Sequence, residues 1–179
     1  VSLTPDLDAA TFTGTVAIAA HATAAASEIV MNAIELDIAS VSVNGVPATF
    51  SLHEESERLI IDAAVTQGPC DIAISFTGIL NDKLRGFYRS TFTDDSGVVR
   101  TIATTQMQAT DCRRAFPCFD EPDFKAVFAI DLTIKSEFLA VSNGSEVRRE
   151  TISNGTTRIW FADTMIMSTY LVAFVVGPL

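Results

Sequence analysis

Histidine and cysteine are scarce in this chain. His21 and His53, with Cys70, Cys112 and Cys118, are its whole supply of nitrogen and sulfur metal ligands across 179 residues. A helical H-E-x-x-H zinc site needs two histidines four residues apart on one face. The only His–Glu pair runs His53-Glu54-Glu55-Ser56-Glu57, with His21 far away in sequence. No catalytic zinc site is therefore expected from this chain alone, and neither a catalytic residue nor a metal ligand is assigned. A nucleophile, a base and an orienting group cannot be placed together either, which ranks a small self-contained hydrolase last. An odd cysteine count at wide, irregular spacing does not make a disulfide framework, and it favours a reducing, cytoplasmic setting. Long apolar runs are missing: the longest, Tyr170 to Val176, is far too short for a bilayer, so no membrane partner is expected. Basic residues are few. Twelve Lys and Arg face twenty-two Asp and Glu for a net charge of −10, and the bases are scattered, which disfavours nucleic acid.

What the chain has in quantity is apolar and β-branched residues. At 48% hydrophobic and 19% charged it can offset its ordering entropy by burial. Residues Thr11 to Ala20 alternate Phe12, Gly14, Val16 and Ile18 against threonines, a strand pattern of period two. Ser27 to Leu36 and Ile38 to Val43 continue it, and Asn44-Gly45 suits the positive φ angles of a tight hairpin that returns through Ala48 to His53. Further strands are expected at Leu59 to Ala64, at Asp71 to Thr77 before a break at Gly78, at Phe87 to Phe92 and at Val98 to Ala103. The strongest alternation is Ala126 to Lys135, followed by Glu146 to Ile152, Thr157 to Phe161 and Thr169 to Val176. Only the short alanine-rich stretch Ala19 to Ser27 leaves room for a helix. The expectation is an all-β, antiparallel β-sandwich or extended sheet in one piece, residues 1–179, without internal repeat.

Residues Thr104 to Lys125 are the least periodic and carry the polar side chains, as loops on a rigid sheet often do. Alternation from Thr105 puts Gln106 and Gln108 on one face. Two amides donate and accept hydrogen bonds, but neither serves as base or nucleophile.

The run Gln106-x-Gln108-Ala109-Thr110-Asp111-Cys112-Arg113-Arg114-Ala115-Phe116-Pro117-Cys118-Phe119-Asp120-Glu121-Pro122 resembles the T-Q-x-E-A-T-x-x-R-R-A-F-P-C-x-D-E-P signature of the M1 zinc aminopeptidases. Leu84 to Ser90 resembles the family's L-x-G-F-Y-R-S segment, Lys125 to Phe128 its K-A-x-F, and Met167 to Gly177 its M-S-T-Y-L-V-A-F-x-V-G strand. The resemblance spans essentially the whole chain. It implies the N-terminal β domain of that family, a saddle-shaped sheet assembly, whose G-x-M-E-N and H-E-x-x-H motifs lie in a following thermolysin-like domain and are not in this sequence. The chain then reads as a piece of a longer polypeptide. Its partners would be the catalytic domain of the same polypeptide and the N-terminus of a peptide substrate. Zinc would belong to the full-length parent, with no cofactor in this chain. The resemblance gives Gln106 the pocket for the substrate's N-terminal side chain. It gives Gln108 the place of the family's amine-binding acid, where an amide accepts from an ammonium group without supplying charge.

The remaining polar residues have plainer readings. Asp120 and Glu121 between prolines are turn formers rather than a catalytic pair. Arg113 and Arg114 fix the loop by pairing with Asp111, Asp120 or Glu121. Cys112 and Cys118 are buried free thiols rather than metal ligands or a disulfide. His53 sits at a solvated strand end. Asn143-Gly144-Ser145 and Asn154-Gly155-Thr156 are hairpin turns before they are glycosylation sites. The rival reading of the whole chain is an independent β-sandwich module that binds protein or carbohydrate without catalysis.

Overall fold

The computed structural model describes residues 1–153 and 155–179. Fifteen strands are present among them: β1 (Ser2–Asp6), β2 (Thr11–Ala22), β3 (Ala26–Asn32), β4 (Leu36–Val43), β5 (Val46–Pro47), β6 (Thr49–His53), β7 (Arg58–Val65), β8 (Gly68–Ile79), β9 (Gly86–Thr93), β10 (Val99–Gln106), β11 (Asp131–Lys135), β12 (Leu139–Ser142), β13 (Glu146–Ser153), β14 (Thr156–Phe161) and β15 (Phe174–Gly177). Helical structure among the described residues is limited to three short 3-10 turns, at Glu54–Ser56, Cys112–Arg114 and Thr169–Leu171. Among the described residues no helix is long and apolar enough to cross a membrane.

The strands form three sheets in the orders β13-β14-β11-β1-β2-β8-β4-β5, β12-β15-β10-β9 and β3-β7-β6. Pairing is antiparallel except between β1 and β11. The centre is the β2–β8 ladder, which runs from Thr11 opposite Ile79 to Ala22 opposite Gly68. Its inner face carries Phe12, Val16, Ile72, Ile74 and Phe76, all buried, as period-two alternation requires. Phe12 packs edge-on to Phe76 and against Phe87 of β9, and Phe87 meets Phe174 of β15 at 4.8 Å between centroids. These rings join the eight-stranded sheet to the four-stranded one. Met31, Leu59 and Ile61 bring the third sheet into the same core. The expected antiparallel all-β sandwich is what the chain forms.

Several local expectations are corrected. Gly78 does not end its strand. A Cβ there would lie 2.3 Å from Phe12 Cζ, so the glycine makes room for the ring in the pair before the ladder's last, Thr11 opposite Ile79. Asn44 and Gly45 do turn the chain at φ of 52° and 78°, but the return strand β5 pairs for only two residues. The chain then crosses to β7 as β6, so the hairpin connects two sheets. Ala19 to Ser27 is the end of β2, a bend and the start of β3, with no helix. Residues 126–130 keep the alternation in burial of Phe128 and Ile130 yet join no ladder beyond a bridge from Ala126 to Met167. Thr169 to Leu171 is a 3-10 turn, and the strand begins at Phe174. β1 and β12 were not anticipated: β1 carries Pro5, and both pair with strands far away in sequence.

Asn143-Gly144 is not a hairpin turn, because β12 and β13 belong to different sheets. The Asn143 amide accepts from Ala173 N–H at 2.8 Å and donates to Leu171 O at 2.8 Å. Gly144 is required because a Cβ would meet Ala162 O at 2.1 Å. The second turn includes Asn154, which lies outside the described residues.

Candidate functional site

Gln106 is the last residue of β10 and pairs with Gly86 of β9. Met107, just past the end of the strand, is buried, and Gln106 and Gln108 on either side of it are exposed. The Gln108–Ala109 peptide is cis. Asp111 N–H donates to Met107 O at 2.9 Å and closes the turn after the two glutamines. Gly86 is needed opposite them: its φ is +64°, and a Cβ would stand 2.6 Å from Arg114 Cβ. This gives a physical reason for the glycine in Leu84-Arg85-Gly86-Phe87.

An ion network lies under the segment that follows. Asp111 accepts from Arg114 Nε at 2.8 Å and faces Arg85 Nη2 at 3.2 Å. Arg114 also reaches Glu35 at 2.9 Å and Glu57 at 3.3 Å. Arg113 pairs with Glu57 and Asp120, each at 2.9 Å. Asp120 accepts in addition from Thr169 Oγ1 at 2.6 Å, and its own N–H donates to Asn32 Oδ1 at 3.1 Å. Burial works against the charge on both guanidiniums. The hydrogen bonds and charges of Asp120 and Glu57 on Arg113, and of Asp111 and Glu35 on Arg114, outweigh it and hold both above the usual arginine value. The arginines thus fix the loop, as expected, and Asp120 is a structural anchor. Glu121 is exposed and has no ion pair among the described residues. Glu57, Glu35 and Thr169 were missed as partners. The positive φ angles at Glu35 and Glu57 mark them as special positions, but one sequence does not show where they converge.

All three cysteines are free and buried. Cys112 Sγ, Cys118 Sγ and a carboxylate oxygen of Asp120 lie within 4.8 Å of one another. Desolvation, with Cys118 and Asp120 adding to it, pushes the Cys112 thiol well above its ordinary value. The Asp120 oxygens are already committed to Arg113 and Thr169. This donor set does not fit a hydrolytic zinc, which needs an accessible position for water. His53 is exposed at the end of β6, with a ring nitrogen 3.2 Å from Ser51 Oγ.

Gln106 and Gln108 stand on open surface. A cleft of about 610 Å³ is lined by β2, β4 and β8 residues with Glu35 and Glu54, and by neither glutamine. Two further grooves, of about 500 and 570 Å³, share Ile18, Ala19, Phe119, Lys125 and Ala126 and also exclude them.

The chain is thus an all-β domain with two exposed amides, Gln106 and Gln108, beside an ion-paired loop. Residues 1–171 match the Peptidase M1 N-terminal domain, and the chain belongs to that family. It is 43% identical over 180 residues to aminopeptidase M1-C of Oryza sativa subsp. japonica, covering 98% of this chain and 20% of the relative. It is 40% identical over 186 residues to aminopeptidase M1 of Arabidopsis thaliana, covering 98% and 21%. It is 41% identical over 187 residues to the alanine/arginine aminopeptidase of Saccharomyces cerevisiae, covering 100% and 22%. The chain spans about a fifth of the length of these curated relatives.

Proposed function

We propose that residues 1–179 are a single non-catalytic N-terminal domain of a zinc-dependent aminopeptidase. The parent would remove N-terminal residues from peptides, and this domain would form one wall of its substrate pocket and dock on a thermolysin-like catalytic domain of the same polypeptide. The observation that supports the reading is that Gln106, the last residue of β10, and Gln108, in the turn just beyond it, are both exposed amides flanking buried Met107. Such a pair orients a bound peptide end without taking part in bond cleavage. Gln106 would contact the side chain of the substrate's first residue. Gln108 would accept from its α-ammonium group through the amide oxygen. The zinc would be held by residues of the catalytic domain, because the one buried donor cluster among the described residues does not fit it. The parent is assigned to the cytoplasm, a placement supported by three unpaired thiols.

The test uses the full-length gene product and aminoacyl-anilide substrates, with and without chelator. Gln108→Glu restores a charge-assisted bond and should raise kcat/KM for free-amine substrates by about tenfold, the range separating charged from neutral hydrogen bonds. Gln106→Ala should reorder preference among first-residue side chains. Unchanged kinetics in both variants would refute the assignment of the glutamines. Chelator-sensitive turnover by residues 1–179 alone would refute the non-catalytic reading.

A further inference from the structure

Cys112 and Cys118 are brought together by a loop that folds back on itself within a few residues. Cys112 opens a 3-10 turn, where its carbonyl accepts from Ala115 N–H at 2.8 Å and from Phe116 N–H at 3.1 Å. Cys118 is held from outside the loop by Asn32, with which it exchanges both backbone hydrogen bonds, at 2.8 and 3.1 Å. The two sulfurs and a carboxylate oxygen of Asp120 lie within 4.8 Å of one another. Asp120 spends its oxygens on Arg113 and Thr169, so the thiols are the members of the cluster left for chemistry.

The two thiols are not equivalent. Cys112 is fully buried, and its raised pKa keeps it protonated at neutral pH. Cys118 is 4% exposed and lines the groove of about 500 Å³ together with Phe116, Phe119 and Lys125, whereas Cys112 does not line it. A molecule in that groove therefore meets Cys118 first, with Cys112 behind it. The narrow opening at Cys118 favours an oxidant of two oxygen atoms over a bulkier thiol reagent. Cys70 makes an internal comparison: it lines the neighbouring groove of about 570 Å³ and is also nearly buried, but it lies outside the cluster.

We infer that Cys112 and Cys118 are a reversible oxidation site, at which a hydroperoxide converts Cys118 to a sulfenic acid and Cys112 closes a disulfide. In the first step the Cys118 thiolate attacks a peroxide oxygen, the O–O bond breaks, and the departing hydroxide takes up the proton that Cys118 lost on ionising. In the second the Cys112 sulfur displaces the sulfenic hydroxyl, which leaves as water with the Cys112 proton. Two thiols are oxidised to one disulfide and one hydrogen peroxide is reduced to two waters. A dithiol reductant reverses the link by exchange. The sulfurs must close to about 2 Å, and they do so in a segment that joins no strand ladder, so no sheet has to break. The inference stands apart from the roles proposed for Gln106 and Gln108.

The test treats the full-length gene product with hydrogen peroxide at neutral pH and removes the excess with catalase. Remaining thiols are blocked with iodoacetamide in denaturant, and tryptic peptides are mapped without reduction. Cleavage after Arg113, Arg114 and Lys125 puts Cys112 in the peptide Thr101–Arg113 and Cys118 in Ala115–Lys125, so a link joins two peptides with the loss of two hydrogens. The expected result is this linked pair in at least tenfold excess over any link that includes Cys70, and its loss after treatment with dithiothreitol. Absence of the pair, or links to Cys70 in comparable amount, overturns the inference. In a Cys112→Ser variant the sulfenic acid has no resolving thiol, and dimedone should trap it at Cys118. A Cys118 that takes up no dimedone in that variant overturns its place as the point of attack, and the inference with it.

Discussion

Asp120→Ala is the sharpest test of how the loop after Gln108 is held. The Asp120 side chain is 1% exposed, and it faces an Arg113 side chain that is itself only 10% exposed. One carboxylate oxygen takes Arg113 Nε at 2.9 Å and the Arg113 backbone N–H at 3.3 Å, and the other takes Thr169 Oγ1 at 2.6 Å. Truncation strands a buried guanidinium and a buried hydroxyl at once. Removing one partner of a buried pair costs about 3–5 kcal/mol, against about 0–1 for an exposed one. With a urea m-value of about 2 kcal/mol/M, the unfolding midpoint should fall by about 1.5–2.5 M. The solvent-exposed pair Arg149–Glu146 supplies the control, and Glu146→Ala should move the midpoint by less than about 0.5 M. Equal shifts in the two variants would refute the view that this network, rather than apolar packing alone, fixes the loop. Residual Glu57 charge on Arg113 sets the lower end of the range, since one of its two anionic partners survives.

Gly78→Ala places a methyl against the Phe12 ring and should cost about 1–3 kcal/mol by overpacking. In a Phe12→Leu background the same substitution should cost less, which a double-mutant cycle reads directly. The three cysteines should be inert to a thiol reagent in the native protein at neutral pH and all react on unfolding, since they are buried and the Cys112 thiol is pushed well up; fast native labelling would contradict this. Asp94 is held well below the ordinary carboxylate range by Ser96 and Val98, with Arg100 adding a third bond. A depressed folded value contributes stability above the unfolded pKa of about 4, which is lost as pH falls toward the folded value. The stability gap to Asp94→Asn should therefore narrow below about pH 4 and stay constant above it.

Strands buried on one face were legible because burial imposes period two on the sequence. β2 and β8 read directly from Phe12, Val16, Ile72, Ile74 and Phe76, and the Asn44-Gly45 turn from its demand for positive φ. Pairing over long separations was not legible. β1 sits between β2 and β11, and β12 reaches β15 across more than thirty residues, with no local pattern to announce either. The same limit applied to the site. Alternation from Thr105 suggested one face for Gln106 and Gln108; both are exposed beside buried Met107, but the strand ends at Gln106. The partners of Arg113 and Arg114 were only half visible: Asp111 and Asp120 are near in sequence, whereas Glu35 and Glu57 arrive from the turns flanking the third sheet. Gly78 misled because a strand glycine signals either a break or a close approach, and only the Phe12 ring decides which.

The location of the charged network bears on why it is ionic at all. Between the end of β10 at Gln106 and the start of β11 at Asp131 the backbone joins no strand ladder, only isolated bridges and one 3-10 turn. A segment without a ladder has few directional constraints, and apolar burial, being non-directional, would leave its position loosely set. Buried ion pairs often add little net stability over apolar replacements, but they penalise any displacement that unpairs them. Arg113 and Arg114 bind acceptors from the third sheet, from the loop itself and, through Asp120, from the turn at Thr169, so shifting the loop against any one of these breaks a charged contact. In the role proposed for Gln108, a neutral amide would depend on placement more than a carboxylate, because a dipole's attraction for a cation falls off faster with distance and angle than a charge's. In that proposed role, the charged contacts that hold the loop following Gln108 would also help to fix where the amide stands.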